Sequence, residues 1–227
     1  LGCRLEQFKR GINVLGAMGI SMFTLHGFYY ECRTQGEQGD WPASFFYQNP
    51  YWKYFKRFSQ YVSRVCYMNT IGKPVVDVGL YYPIEIIQAE TVNGLPNENA
   101  RSLDKGFHAV LNGLIEHQID VDMIDAENLM RADLRGRCVC AGEEKFRALV
   151  FPAMDGIPDK LMERIFKFRE AGVTVLFYRV GAGLEQSGKI AVEASVLWAE
   201  LRRRMTVDTA VVAGRTSDLY VSHRRIG

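Results

Sequence analysis

From residue 74 onward the chain alternates short, strongly apolar runs with amphipathic stretches, and this alternation constrains the fold more than any other feature. Val75 to Tyr82 (VVDVGLYY), Ala148 to Phe151 (ALVF) and 173–178 (VTVLFY) read as strands buried on both faces, with 119–124 (IDVDMI) as a further strand. Helical periodicity falls between them, over 101–117, 126–132, 158–171 and 190–204. In the first of these helices Leu103, Phe107, Val110, Leu111 and Leu114 share one face. Gly172 stands where a helix-terminating glycine belongs. Strands that alternate with helices in this way imply a parallel, doubly wound sheet. The segment 85–100 reads as a polar excursion, and small strands are expected at 137–141, 207–212 and 218–222.

The residues before this region have a different character. Leu5, Phe8, Ile12 and Leu15 recur at helical spacing over 4–17. The run Ile20 to Leu25 then reads as a buried strand that delivers His26-Gly27-Phe28 at its end. Residues 33–50 form a long polar and aromatic loop, of the kind that usually carries function. A helix over 51–70 is expected to turn Tyr54, Phe58, Tyr61, Val65 and Met68 inward, and Gly72-Lys73-Pro74 ends it. A boundary near residue 73 divides the chain into 1–73 and 74–227.

Composition narrows the function classes. Hydrophobic residues make up 48% and charged residues 24%, which describes a folded globular protein rather than a disordered one. A net charge of +2 gives no reason to expect nucleic-acid or membrane partners. The N-terminal residues resemble neither a signal peptide nor a membrane span. The five cysteines follow no disulfide-framework spacing and favour a reducing, cytoplasmic compartment. Cys138 and Cys140 share one face of a strand and read as small buried thiols, since nothing nearby completes a metal site.

Two phosphate-binding signals fail on inspection. Gly183 to Lys189 fits G-x-x-x-x-G-K, but Ile190 replaces the magnesium-binding hydroxyl and Glu185 would put a carboxylate in the cradle. The first strand of the second part runs into Tyr81-Tyr82-Pro83 instead of a glycine-rich or hydroxyl-rich turn, so no cofactor is expected there. Asp120, Asp122, Asp125 and Glu127 lack the spacing of a calcium loop, and Asp120 with Asp122 reads as a solvated strand end.

The first part is richer chemically. His26 to Glu31 would open at the carboxyl end of a barrel strand, followed by Glu37, Asp40 and Trp41. Carboxylates, a histidine and exposed aromatics together suit carbohydrate chemistry, because aromatic faces pack on the apolar faces of sugars. By their position at the strand end, Glu31 and Glu37 are the candidate catalytic acids. His26, Tyr29 and Trp41 are the candidate substrate contacts on the same ground. No residue of the chain stands out as a metal or cofactor ligand.

The order Gly11-Ile12-Asn13, His26-Gly27-Phe28, Pro42-x-Ser44-Phe45-Phe46 and Asn49-Pro50-Tyr51-Trp52 resembles the α-L-rhamnosidase family, glycoside hydrolase family 106. Tyr61-Val62-x-Arg64, Asp77-Val78-x-Leu80-Tyr81-x-Pro83, Asp120-x-Asp122-x-Ile124-Asp125, Ala148 to Pro152 and His223-Arg224-Arg225 extend the resemblance. It implies a large enzyme in which a (β/α)8 barrel precedes a flavodoxin-like domain and β-sandwiches. Residues 1–73 would be the last strand and helix units of the barrel, and 74–227 the flavodoxin-like domain. The resemblance also implies a rhamnoside or related glycoside as substrate, hydrolysis with inversion by two acidic residues, and calcium associated with the site of the full-length enzyme. Such a piece is expected to be inactive alone. A β-galactosidase-type hydrolase and a non-catalytic α/β packing module are the alternatives.

Overall fold

The computed structural model describes residues 4–30, 44–154, 156–178, 191–192, 201 and 222–226. Their contacts divide into two compact units, 1–74 with 224–227, and 75–223.

In the first unit, helix α1 (Leu5–Ala17) packs on helix α2 (Trp52–Thr70). Ile12, Phe58 and Val62 form the buried centre, flanked by Leu5, Phe8, Phe23, Leu25, Phe55 and Val65. The inward face of α2 is therefore Phe55, Phe58, Tyr61, Val62 and Val65, which includes the expected Phe58, Tyr61 and Val65, while the expected Tyr54 and Met68 are exposed. One side of α2 is polar, with Lys53, Lys56, Arg57, Gln60, Ser63 and Arg64, but its apolar arc is wider than the part that is covered. Residues 20–29 do not form the expected strand: they run without a ladder, and Ile20 and Met22 are exposed. A strand requires a paired neighbour, and apolar sequence supplies only the propensity for one. Strand β1 (Lys73–Pro74) pairs antiparallel with β12 (Arg224–Arg225), and Arg224 donates to the carbonyls of Ile71 and Gly72 at 2.6 and 2.7 Å. Gly72 makes this closure possible, since its φ is +68° and a Cβ there would lie 2.2 Å from the Arg225 carbonyl oxygen.

The second unit is a mixed α/β structure built on a parallel sheet. Its strands are β2 (Val78–Tyr81), β5 (Val121–Ile124), β9 (Ala148–Phe151), β10 (Thr174–Tyr178) and β11 (Ala191–Val192). They lie in the order β5-β2-β9-β10-β11, all parallel, so the second strand in sequence borders the first and the remainder extend the other way. Helix α3 (Ile84–Ala89), the β3–β4 hairpin (Thr91–Val92 and Leu95–Pro96) and helix α4 (Glu98–Glu116) connect β2 to β5. Helix α5 (Ala126–Arg131) and the antiparallel strands β6 (Asp133–Arg135), β7 (Cys138–Ala141) and β8 (Glu144–Phe146) lead to β9. Helix α6 (Asp159–Glu170) leads to β10.

Strand alternation divides the core between two faces. Val78, Leu80, Val150 and Leu176 meet Phe107, Val110 and Leu114 of α4 on one. Tyr81, Leu149, Phe151, Val175 and Phe177 meet Leu129 of α5 and Leu161, Ile165 and Phe168 of α6 on the other. Asn97 caps α4 by accepting from the Ala100 amide at 2.9 Å, and Asp125 caps α5 in the same way. The polar excursion over 85–100 contains α3 and a tight hairpin turned at Asn93-Gly94, both at positive φ. That dipeptide is a strong hairpin signal in its own right. Ala191–Val192 is a strand, where periodicity places the start of a helix. Otherwise the expected helix 190–204 and strands 207–212 and 218–222 fall almost wholly outside the described residues.

Candidate functional site

Sequence reasoning points to the rim after residue 26. His26 is exposed and Tyr29 is half-buried, so both stand at or near the surface of the first unit. Glu31, Glu37 and Trp41 lie outside the described residues, as do Asp40 and the Gly183 to Lys189 motif.

The two described stretches flanking 31–43 are fastened to each other. Phe45 N–H donates to the Gly27 carbonyl at 2.7 Å. Gln48 Nε2 donates to the Tyr29 carbonyl at 2.8 Å, and Tyr47 Oη to the Tyr30 carbonyl at 3.1 Å. Ser44 Oγ accepts from the Phe46 amide at 3.1 Å and donates to Gln48 Oε1 at 3.0 Å. Asn49 holds the entry to α2, with Nδ2 on the Ser44 carbonyl and Oδ1 accepting from the Tyr51 amide. Side-chain and backbone bonds together therefore fasten 27–30 to 44–49.

Aromatic rings pack beneath and around this clamp. Phe8 meets Phe45 edge-on at 4.7 Å, Phe28 meets Phe55 at 5.5 Å and Phe46 meets Trp52 at 5.0 Å. Trp52 also stacks on Phe55 at 5.4 Å. Phe28, Tyr30, Tyr47, Tyr51, Trp52 and Tyr54 remain exposed enough to form an aromatic surface. Ser44, Gln48 and the exposed rings of Tyr47 and Trp52 are the additions to the candidate site. Of these, Trp52 belongs to the Asn49-Pro50-Tyr51-Trp52 block and Ser44 to Pro42-x-Ser44-Phe45-Phe46, and a motif does not show which rings stay outside.

The second unit contains a different pairing. Asp120 Oδ2 accepts from the His223 amide at 2.8 Å and from His223 Nδ1 at 2.6 Å. Both side chains are largely shielded, so Asp120 is no solvated strand end, contrary to the reading of the acidic run. Burial raises the Asp120 carboxyl above its ordinary range, and the bonds from His223 work against that rise. Tyr81, at the carboxyl end of β2, has its phenol pushed up by burial, with the Glu85 and Asp125 carboxylates adding to the effect. Cys66, Cys138 and Cys140 are free thiols. No cluster of three or more His, Cys, Asp or Glu among the described residues is arranged to hold a metal. No helix among them is long and apolar enough to cross a membrane.

No protein-family model matches the chain, and no curated protein matches it. Among solved structures it is similar to Gan42B, a GH42 β-galactosidase, at 16% identity and a TM-score of 0.31. The match covers 71% of this chain and 20% of the β-galactosidase, so the chain spans about a fifth of that protein's length.

Proposed function

We propose that the chain is part of a glycoside hydrolase of α-L-rhamnosidase type, with residues 26–41 forming one wall of the sugar site. The observation that carries this reading is the clamp between 27–30 and 44–49, which joins an exposed aromatic surface to the stems of the segment bearing Glu31 and Glu37. In this reading one carboxyl group protonates the glycosidic oxygen while the other, roughly 6.5–9.5 Å away, draws a proton from the attacking water and so inverts the anomeric centre. Glu31 and Glu37 are the candidates in this chain for that work. His26 and Tyr29 contact sugar hydroxyls, and Trp41 and Trp52 offer ring faces. Calcium finds no group of ligands among the described residues, and no step is routed through it.

The architecture assigned here is the tail of a (β/α)8 barrel in 1–73 and a flavodoxin-like domain after it. The sheet order, with the second strand beside the first and the third to fifth on the other side, supports the latter part. Buried Tyr81 and Phe151, in ring contact at 5.1 Å near the carboxyl ends of β2 and β9, favour packing over ligand binding at that position. A β-galactosidase-type hydrolase shares the same layout and differs in the sugar it accepts.

Titration of the protein with L-rhamnose and with D-galactose, followed by tryptophan fluorescence, tests the sugar surface. Saturable binding of one sugar, weakened about tenfold by Trp52→Ala in a variant that keeps its unfolding midpoint, is the expected result. No saturation by either sugar, or binding indifferent to Trp52→Ala, would remove the aromatic surface from the site.

A further inference from the structure

A cavity of about 390 Å3 in the second unit is lined by Arg137, Cys138, Arg147, Gly172 and Thr174. It lies at the amino-terminal ends of β9 and β10, away from the carboxyl ends where open α/β sheets usually bind ligands. The backbone of Arg147 is fixed on both sides. The Arg147 amide donates to the Asp77 carbonyl at 2.8 Å, and the Arg147 carbonyl accepts from the Thr174 amide at 3.1 Å. Arg137 lies along Gly172, its Cγ, Cδ and Nε only 3.3 Å from where a Cβ would stand. Any larger residue at 172 would displace that stem, and the φ of +89° there already favours glycine.

Asp77 stands 3.7 Å from Arg147 Nε, while no carboxylate among the described residues pairs with Arg137. Among the described residues that line the cavity two are arginines and none is acidic, and guanidinium forks match the geometry of carboxylate and phosphate. We propose that this cavity binds a small oxyanion, the phosphate or carboxylate group of a small molecule, between Arg137 and Arg147. Cys138 and Thr174 line the walls beside it.

The test is titration of the protein with inorganic phosphate and, separately, with malonate at constant ionic strength, read by backbone amide chemical shifts. Saturating shifts at Cys138, Gly172 and Thr174 are expected for at least one anion, and the anion that saturates at lower concentration identifies the preferred group. Arg137→Gln, at an exposed position, should raise the midpoint about tenfold. Arg137→Lys, which keeps charge but loses the fork, should fall between the two. Absence of saturation by both anions, or a midpoint unchanged in Arg137→Gln, would overturn the assignment.

Discussion

Asp120 accepts two hydrogen bonds from one residue 103 positions away, and its ionisation reports whether that pairing is intact. Its carboxyl lies above the ordinary value of 3.8 because burial outweighs the bonds from His223. The folded state therefore holds this proton more tightly than the unfolded chain does. By linkage, the stability contributed at this position is present below about pH 4 and is lost as pH rises through the raised value. Asn cannot titrate, so the unfolding free energy of the wild type relative to Asp120→Asn should decline as pH rises above about 4. Urea unfolding of both proteins across that range measures it, and a rising difference would show that the His223 bonds dominate instead. Local pattern could not reveal this pair. Asp120 reads as solvated because its neighbours Asp122 and Asp125 are acidic, and its partner is far along the chain.

At the scale of elements, burial decides which periodicities were legible. Helix α6 shows Leu161, Ile165 and Phe168 at spacings of four and three, all nearly inaccessible, and its span and terminating Gly172 follow from sequence. Ile165 is fully buried between this helix and the sheet, so Ile165→Ala should cost about 2–5 kcal/mol through the cavity left behind. Phe166, next in sequence but exposed, should cost less than about 1 kcal/mol on the same substitution. Denaturant midpoints at constant slope compare the two directly. In helix α2 periodicity separates a polar side, at Lys53, Lys56, Arg57, Gln60, Ser63 and Arg64, from a broad apolar arc, but it does not specify which residues of that arc are covered. The run from Ile20 to Leu25 has strand composition, yet strand formation depends on a neighbour that local sequence does not specify.

For the whole molecule, the parallel sheet was legible because its central strands β2 and β9 are buried on both faces and read as unbroken apolar runs. The boundary between units falls at Pro74 and Val75, but the return of Arg224–Arg225 to pair with β1 had no signal in composition. For the candidate site, His26 and Tyr29 are proposed from their place after an apolar run. Ser44 and Gln48 bond to a residue 15 and 19 positions earlier, a pairing that local sequence does not specify. The central claim concerns the carboxylates between those stems. The measurement that tests it most directly is hydrolysis of aryl α-L-rhamnosides and aryl β-galactosides by the protein containing this chain, beside Glu31→Gln and Glu37→Gln. Loss of an acid or base should lower kcat by about 10²–10⁴-fold in at least one variant, with rhamnoside the preferred substrate. Undiminished turnover in both variants, or no turnover of any glycoside by the wild type, would contradict it.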